Sequence, residues 1–233
     1  MSATWHVRHR VPRWLTGRYT GLTIVLLVLA VSSIAVGQND FRKVIDSVAF
    51  TVLLLLAIRI VGPRLRVATV ALTVPTLISH WIDHLSHSTI HSIVGLGLAT
   101  VFLAFLTLVI MFAVFRDESV TVDTIFGAVC AYLLVGVTWG TAYALLVVVS
   151  PDSLSVSPAL AHASGWGASI SAFTPVLQYY SFATLATLGY GDVSPLSPGA
   201  RALSVMEGLT GQLYLAVLVA RLVGIHTART LKP

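Results

Sequence analysis

Residues 174–195 read TPVLQYYSFATLATLGYGDVSP, and the two halves of this stretch make opposite conformational demands. Thr174 followed by Pro175 predicts a helix start, because a threonine hydroxyl caps orphan N–H groups and proline suits the first helical position. No breaker follows before Ala186. A helix of about twelve residues rises about 18 Å, too little to cross a hydrocarbon core about 30 Å thick. The second half, Thr187–Asp192, holds glycines at alternate positions 189 and 191. Glycine adopts backbone angles closed to other residues, so successive carbonyls in such a stretch can face one way. Aligned carbonyl oxygens suit a hard cation, and the helix ending beside them points the negative end of its dipole at the same place. A half-crossing helix of this kind is tolerated at membrane depth only where protein or a water-filled cavity satisfies the backbone that follows.

The rest of the chain supplies the membrane that such a segment needs. Of its 233 residues 56% are apolar and 10% charged, against about a quarter charged in soluble domains. That composition argues against a soluble enzyme. Apolar runs near the spanning length lie at 20–37, 44–61, 65–81, 93–115, 124–149 and 200–223. The third is the weakest, and Pro75 within it removes a helical hydrogen bond and predicts a kink. The expectation is an all-α integral membrane protein of six transmembrane helices, with a re-entrant helix and loop between the fifth and sixth. Its parts are a cytoplasmic N-terminal segment (1–19), a four-helix front domain (20–123), a pore-like domain (124–223) and a cytoplasmic tail (224–233). Residues 150–169 read as a polar outer loop.

The net charge of +5 would suggest nucleic acid in a soluble protein. Here the basic residues fall between apolar runs, and eleven of the fourteen share one side: Arg8, Arg10, Arg13, Arg18, Arg59, Arg64, Arg66, Arg116, Arg221, Arg229 and Lys232. Arg42, Lys43 and Arg201 fall on the other. Positive-inside then places both termini in the cytoplasm of a multi-pass protein of the cell membrane, with no nucleic-acid partner. A cleaved signal peptide is the alternative reading of the first run, which ends in small residues around Ala35 and Gly37. Cleavage would leave every later segment on the same side. The single cysteine, Cys130, excludes an intrachain disulfide and reads as a small core residue.

The segment TLGYGD at 187–192 resembles the selectivity filter of potassium channels, whose TVGYG loop coordinates potassium through backbone carbonyls. The resemblance extends over about 175–221. It implies that the carbonyls of Thr187, Leu188, Gly189 and Tyr190 replace the hydration shell of potassium, with the Thr187 hydroxyl at the innermost site and Gly191 closing the outer end. Asp192 would stand at the outer mouth, held from behind by a hydroxyl or indole donor. The Tyr190 ring would join an aromatic cuff drawn from Tyr179, Tyr180 and Phe182. One loop per chain against four per filter implies a homotetramer in the lipid bilayer, with potassium as the permeant ion and no cofactor. Leu188 stands for the commoner valine, and Ala186 for a usual second threonine.

The sixth run resembles the family's inner helix, with Gly208 and Gly211 as gating hinge candidates, although close packing against the pore helix explains a glycine equally well. Gln212, Leu215 and Val219 share a helix face and would line the cavity. Glu207 is an ionisable group within a span and needs a reason. It either braces the pore helix by hydrogen bonding, as a neutral acid, or tunes gating with pH, and bracing is the preferred reading.

The fourth run has none of the regularly spaced arginines of a voltage sensor. One elementary charge crossing 100 mV is worth about 2.3 kcal/mol, so without several such charges steep voltage dependence has no source. His80, His84, His87 and His91 form a stripe if the third span continues as one helix. Imidazoles at such spacing bind zinc or titrate near neutrality, whereas a polar interfacial segment is the simpler reading. Three rivals remain beside a potassium channel: a nonselective cation channel subunit, an intramembrane enzyme with histidine metal ligands, and a secondary transporter. The intact GYG, the single histidine cluster and the single re-entrant element argue against them in turn.

Overall fold

The computed structural model describes residues 17–35, 40–85, 88–117, 121–167 and 170–230, which are helical apart from turns and one two-stranded ribbon. The helices are α1 (Thr20–Ala35), α2 (Asp40–Ile60), α3 (Pro63–Leu85), α4 (Thr89–Arg116), α5 (Val122–Val149), α6 (Pro158–Ser164), α7 (Ile170–Leu185) and α8 (Pro198–Thr230). Strands β1 (Leu154–Val156) and β2 (Val193–Pro195) pair antiparallel, with Ser155 opposite Ser194.

Among the described residues four helices are long and apolar enough to cross a membrane: α4, α5, and the parts of α3 and α8 at 63–82 and 198–225. The other two expected spans fall on α1 and α2. With 16 residues, α1 is shorter than the roughly 20 that a bilayer asks of a perpendicular helix. α2 carries Asp40, Arg42, Lys43 and Asp46 in its first two turns.

Lipid tails are as apolar as leucine, so helices associate in a membrane through close packing and interhelical hydrogen bonds. Both devices occur here. Gly136 and Gly140, one turn apart on α5, lie under Phe182 and Gln178 of α7, and a Cβ at either glycine would collide with the facing side chain. Hydroxyl pairs Thr100–Thr141 and Thr107–Thr138, each 3.3 Å apart, tie α4 to α5 at two levels. One buried cluster runs from Leu22 and Leu26 of α1 through Leu53 of α2 and Phe102 and Leu106 of α4 to Cys130 and Leu134 of α5 and Tyr214 of α8. The front helices and the back of the molecule therefore share a core.

One end of the bundle is stitched by helix termini. The Arg18 guanidinium donates to the Ile60 carbonyl at the end of α2, and the Tyr19 N–H donates to Asp123 Oδ1 in the first turn of α5 at 3.1 Å. Thr121 caps α5 in a reciprocal box with Thr124. Arg221 of α8 donates to the Asp117 carbonyl and lies over the Phe115 ring, fixing the last turns of α8 to the α4–α5 connection. Arg8, Arg10, Arg13 and Lys232 lie outside the described residues.

Two local expectations are corrected. The helix before TLGYGD is described from Ile170, so Thr174 does not cap it and Pro175 sits in its interior. Proline there forfeits one hydrogen bond to the preceding turn, which packing of the flanking buried Val176 and Leu177 compensates. The four histidines do not form one helical stripe: α3 ends at Leu85 and α4 starts at Thr89, so His80 and His84 belong to one helix and His91 to the next. His87 lies outside the described residues. The physical reason is the chain reversal around Ser88, whose extended backbone (φ −86°, ψ 127°) starts a new helix.

Candidate functional site

The site grows from the C-terminal end of α7. That helix closes with a paired-bond cap: the Leu188 N–H donates to the Ala183 carbonyl at 2.8 Å and the Thr187 N–H to the Thr184 carbonyl at 3.0 Å. Such a cap requires a left-handed residue, a place usually filled by glycine. Here it is Thr187, with φ +57°. A β-branched residue in that region is strained by roughly 1–2 kcal/mol, and strain of this kind gathers at functional sites.

Left-handed backbone recurs at every second residue: Thr187 (φ +57°), Gly189 (φ +57°) and Gly191 (φ +80°), but not at Leu188 or Tyr190. In an extended strand of uniform hand, successive carbonyls point to opposite sides. Alternating the hand removes that reversal. Residues 186–191 are all exposed in the single chain, and Leu188 and Tyr190 keep 56% and 66% of their surface, although α7 behind them is mostly buried.

The outer end of this row is held from two directions. Tyr179 of α7 stacks on Tyr190, with centroids 6.2 Å apart and planes 9° from parallel, and its hydroxyl donates to Asp192 Oδ2 at 2.7 Å. The Val193 N–H donates to Asp192 Oδ1 at 3.0 Å, and the Asp192 carbonyl accepts from the Ser157 N–H at 2.7 Å. The β1–β2 ribbon then ties the segment before α7 to the segment leaving Asp192. Within 150–169 an ordered clamp therefore replaces part of the loop that the sequence suggested. Strands of three residues are too short to leave an alternation pattern.

Of the three cuff candidates, only Tyr179 meets Tyr190. Tyr180 shares a hydrogen bond of 2.7 Å with Ser204 of α8 and packs edge-on against Tyr143, and Phe182 faces Gly136. Gly211 of α8 lies against the end of α7: a Cβ there would come within 2.7 Å of Leu185 Cδ1 and 2.8 Å of the Leu185 carbonyl. Gly208 has open space where its Cβ would be. α8 is continuous through both glycines, and Gln212, Leu215 and Val219 are exposed along it.

Glu207 is fully buried, accepting from Tyr143 Oη at 2.7 Å and lying 2.5 Å from Ser181 Oγ. Ser181 and Tyr143 were not singled out in the sequence, although a serine within the half-crossing helix and a tyrosine within an apolar span were the available signals. His80 packs on Phe50 with ring centroids 5.0 Å apart, and His91 is exposed. Among the described residues no three His, Cys, Asp or Glu side chains come together as a metal site.

Residues 132–227 match the family described as ion channel, an interval that starts within α5 and takes in α7, the 187–192 row and most of α8. The match supports an ion channel subunit and indicates a channel rather than an enzyme. With the apolar helices, it makes this a multi-pass membrane protein. Neither the curated proteins nor the solved structures include a match.

Proposed function

We propose that this chain is one of four identical subunits of a potassium-selective channel, conducting potassium passively along the fourfold axis. The observation that carries the reading is the alternation of backbone hand at 187, 189 and 191 at the end of a helix too short to span. In the tetramer the carbonyls of Thr187, Leu188, Gly189 and Tyr190 form stacked rings that stand in for water around a dehydrated potassium ion. Gly191 and Asp192 complete the outer mouth. α7 is the re-entrant pore helix, α5 and α8 are the outer and inner helices, and α1–α4 complete a six-span subunit with both termini in the cytoplasm of the cell membrane.

What a single chain leaves uncovered supports the proposed assembly. α8 exposes Leu209, Leu213, Val217 and Val219 along its length, and the 187–191 row is exposed beside it. Carbonyls at membrane depth need partners, and a ring of copies around potassium and water supplies them. The α4 span has no Asp, Glu, Lys or Arg before Arg116, so voltage has little to act on.

The test is cation flux from liposomes holding the purified protein. Potassium flux well above sodium flux, abolished by Gly189→Asp, is expected. Equal fluxes would favour the nonselective cation channel, and undiminished flux in the variant would overturn the assigned filter.

A further inference from the structure

Glu207, Ser181 and Tyr143 form a buried polar cluster between α8, α7 and α5, and the number of hydrogens available to it is fixed. Ser181 Oγ lies 2.7 Å from the Gly136 carbonyl oxygen and 2.5 Å from Glu207 Oε1. Both contacts are too short to lack a hydrogen. The serine hydroxyl has one proton and the carbonyl none, so the Ser181 proton lies toward Gly136. A proton on the carboxyl group supplies the second hydrogen without the serine proton having to be shared between two acceptors. Tyr143 donates its proton to Glu207 Oε2 at 2.7 Å, so it is not the source. The other titratable groups within electrostatic reach of Glu207 are Tyr132 of α5 and Tyr180 of α7. Among the described residues no basic side chain acts on Glu207. An unpaired carboxylate in such a place is costly, whereas a neutral acid with one donor and one acceptor is satisfied.

We propose that Glu207 is a neutral carboxylic acid that latches the inner helix to the pore helix and thereby holds the filter in its conducting arrangement. The acid O–H donates to Ser181 and the acid carbonyl accepts from Tyr143. One turn further along both helices, Gly211 seats against Leu185, the last residue of α7 before the left-handed turn at Thr187. The same four-residue step on α7 (181 to 185) and on α8 (207 to 211) makes the latch and the glycine contact one continuous seam. Glu207 is thus a positioning residue that acts on the filter through α7. Loss of its proton turns the donor into an acceptor facing a serine whose own proton is engaged, and the seam opens.

The part of this proposal that concerns the filter rests on the channel reading; the protonation state does not, and the test separates them. Infrared spectra of the purified protein at neutral pH should contain the carbonyl stretch of a protonated, hydrogen-bonded carboxylic acid that vanishes in Glu207→Gln. Glutamine offers the same donor and acceptor, so this variant should unfold at the wild-type temperature at neutral pH. In liposomes, potassium flux through the wild type should fall as pH rises while flux through Glu207→Gln stays flat, and Ser181→Ala should lower flux at every pH. Absence of the infrared band, a lower unfolding temperature for Glu207→Gln, or the same pH profile in both proteins would overturn the latch. A band present with no flux in any protein would overturn its link to a filter and, with it, the channel reading.

Discussion

At the scale of single residues, the proposed filter is a set of backbone conformations held from behind by side chains. Thr187 occupies a left-handed cap position where glycine is favoured. Thr187→Gly should therefore raise thermal stability by up to about 1 kcal/mol while lowering potassium flux through the proposed channel, since the hydroxyl assigned to its innermost site is gone; stability and flux that fall together would contradict this. Asp192 is held by the Tyr179 hydroxyl, and a hydrogen bond to a charged group contributes about 1.5–3 kcal/mol. Tyr179→Phe keeps the stack on Tyr190 and loses only that bond, so its unfolding temperature and flux should drop, and Tyr179→Ala should drop further. Equal behaviour of Phe and wild type would show that the bond does not support the mouth. The motif itself was legible in the sequence because alternate glycines state a backbone requirement directly. The donor behind Asp192 was legible only as a chemical type, since its identity depends on how α7 is rotated about its axis. The proline at 175 misled for a related reason: it satisfies a helix start and, where flanking residues are buried, a helix interior too.

At the scale of elements, the decisive contact is the seam between α7 and α8. The two hinge candidates separate cleanly by their surroundings. Gly211→Ala would push a methyl group into Leu185, including its backbone oxygen, which cannot rotate away. Overpacking of this kind costs about 1–3 kcal/mol, and the expected result is a lower unfolding temperature and reduced flux. Gly208→Ala meets open space in the subunit and should be neutral or stabilising by up to about 1 kcal/mol. Thermal unfolding of the two variants side by side checks this, and a greater loss at Gly208 would contradict the seam. The long apolar runs that became α4, α5 and α8 were readable because length and hydrophobicity suffice for them. The break between α3 and α4 was not, because nothing stronger than a serine stands at the reversal. The β1–β2 clamp was equally hidden, since its stability comes from pairing two distant tripeptides.

At the scale of the whole molecule, the features still unmatched in one chain are an exposed inner helix and an exposed carbonyl row. The proposed ring of four copies around an axis would satisfy both. Mass measurement of the detergent-solubilised protein should give four subunits per particle, and a monomer that conducts would contradict the assembly. The α4 span, with its first Lys or Arg at Arg116, predicts conductance that changes little with voltage. A steep activation curve, which needs several charges crossing the field at about 2.3 kcal/mol each per 100 mV, would require a sensor elsewhere. Composition made the membrane readable from the outset, and the basic residues suggested its orientation. The shared core between front helices and pore was beyond the sequence, because helix contacts in lipid depend on small residues and hydroxyls scattered over several spans. In the proposed channel this backbone selects potassium. The most direct measurement is the reversal potential of reconstituted channels between potassium on one side and sodium on the other. A potassium-selective pore gives a potential strongly displaced in the direction that potassium permeation requires, whereas a potential near zero would contradict selectivity.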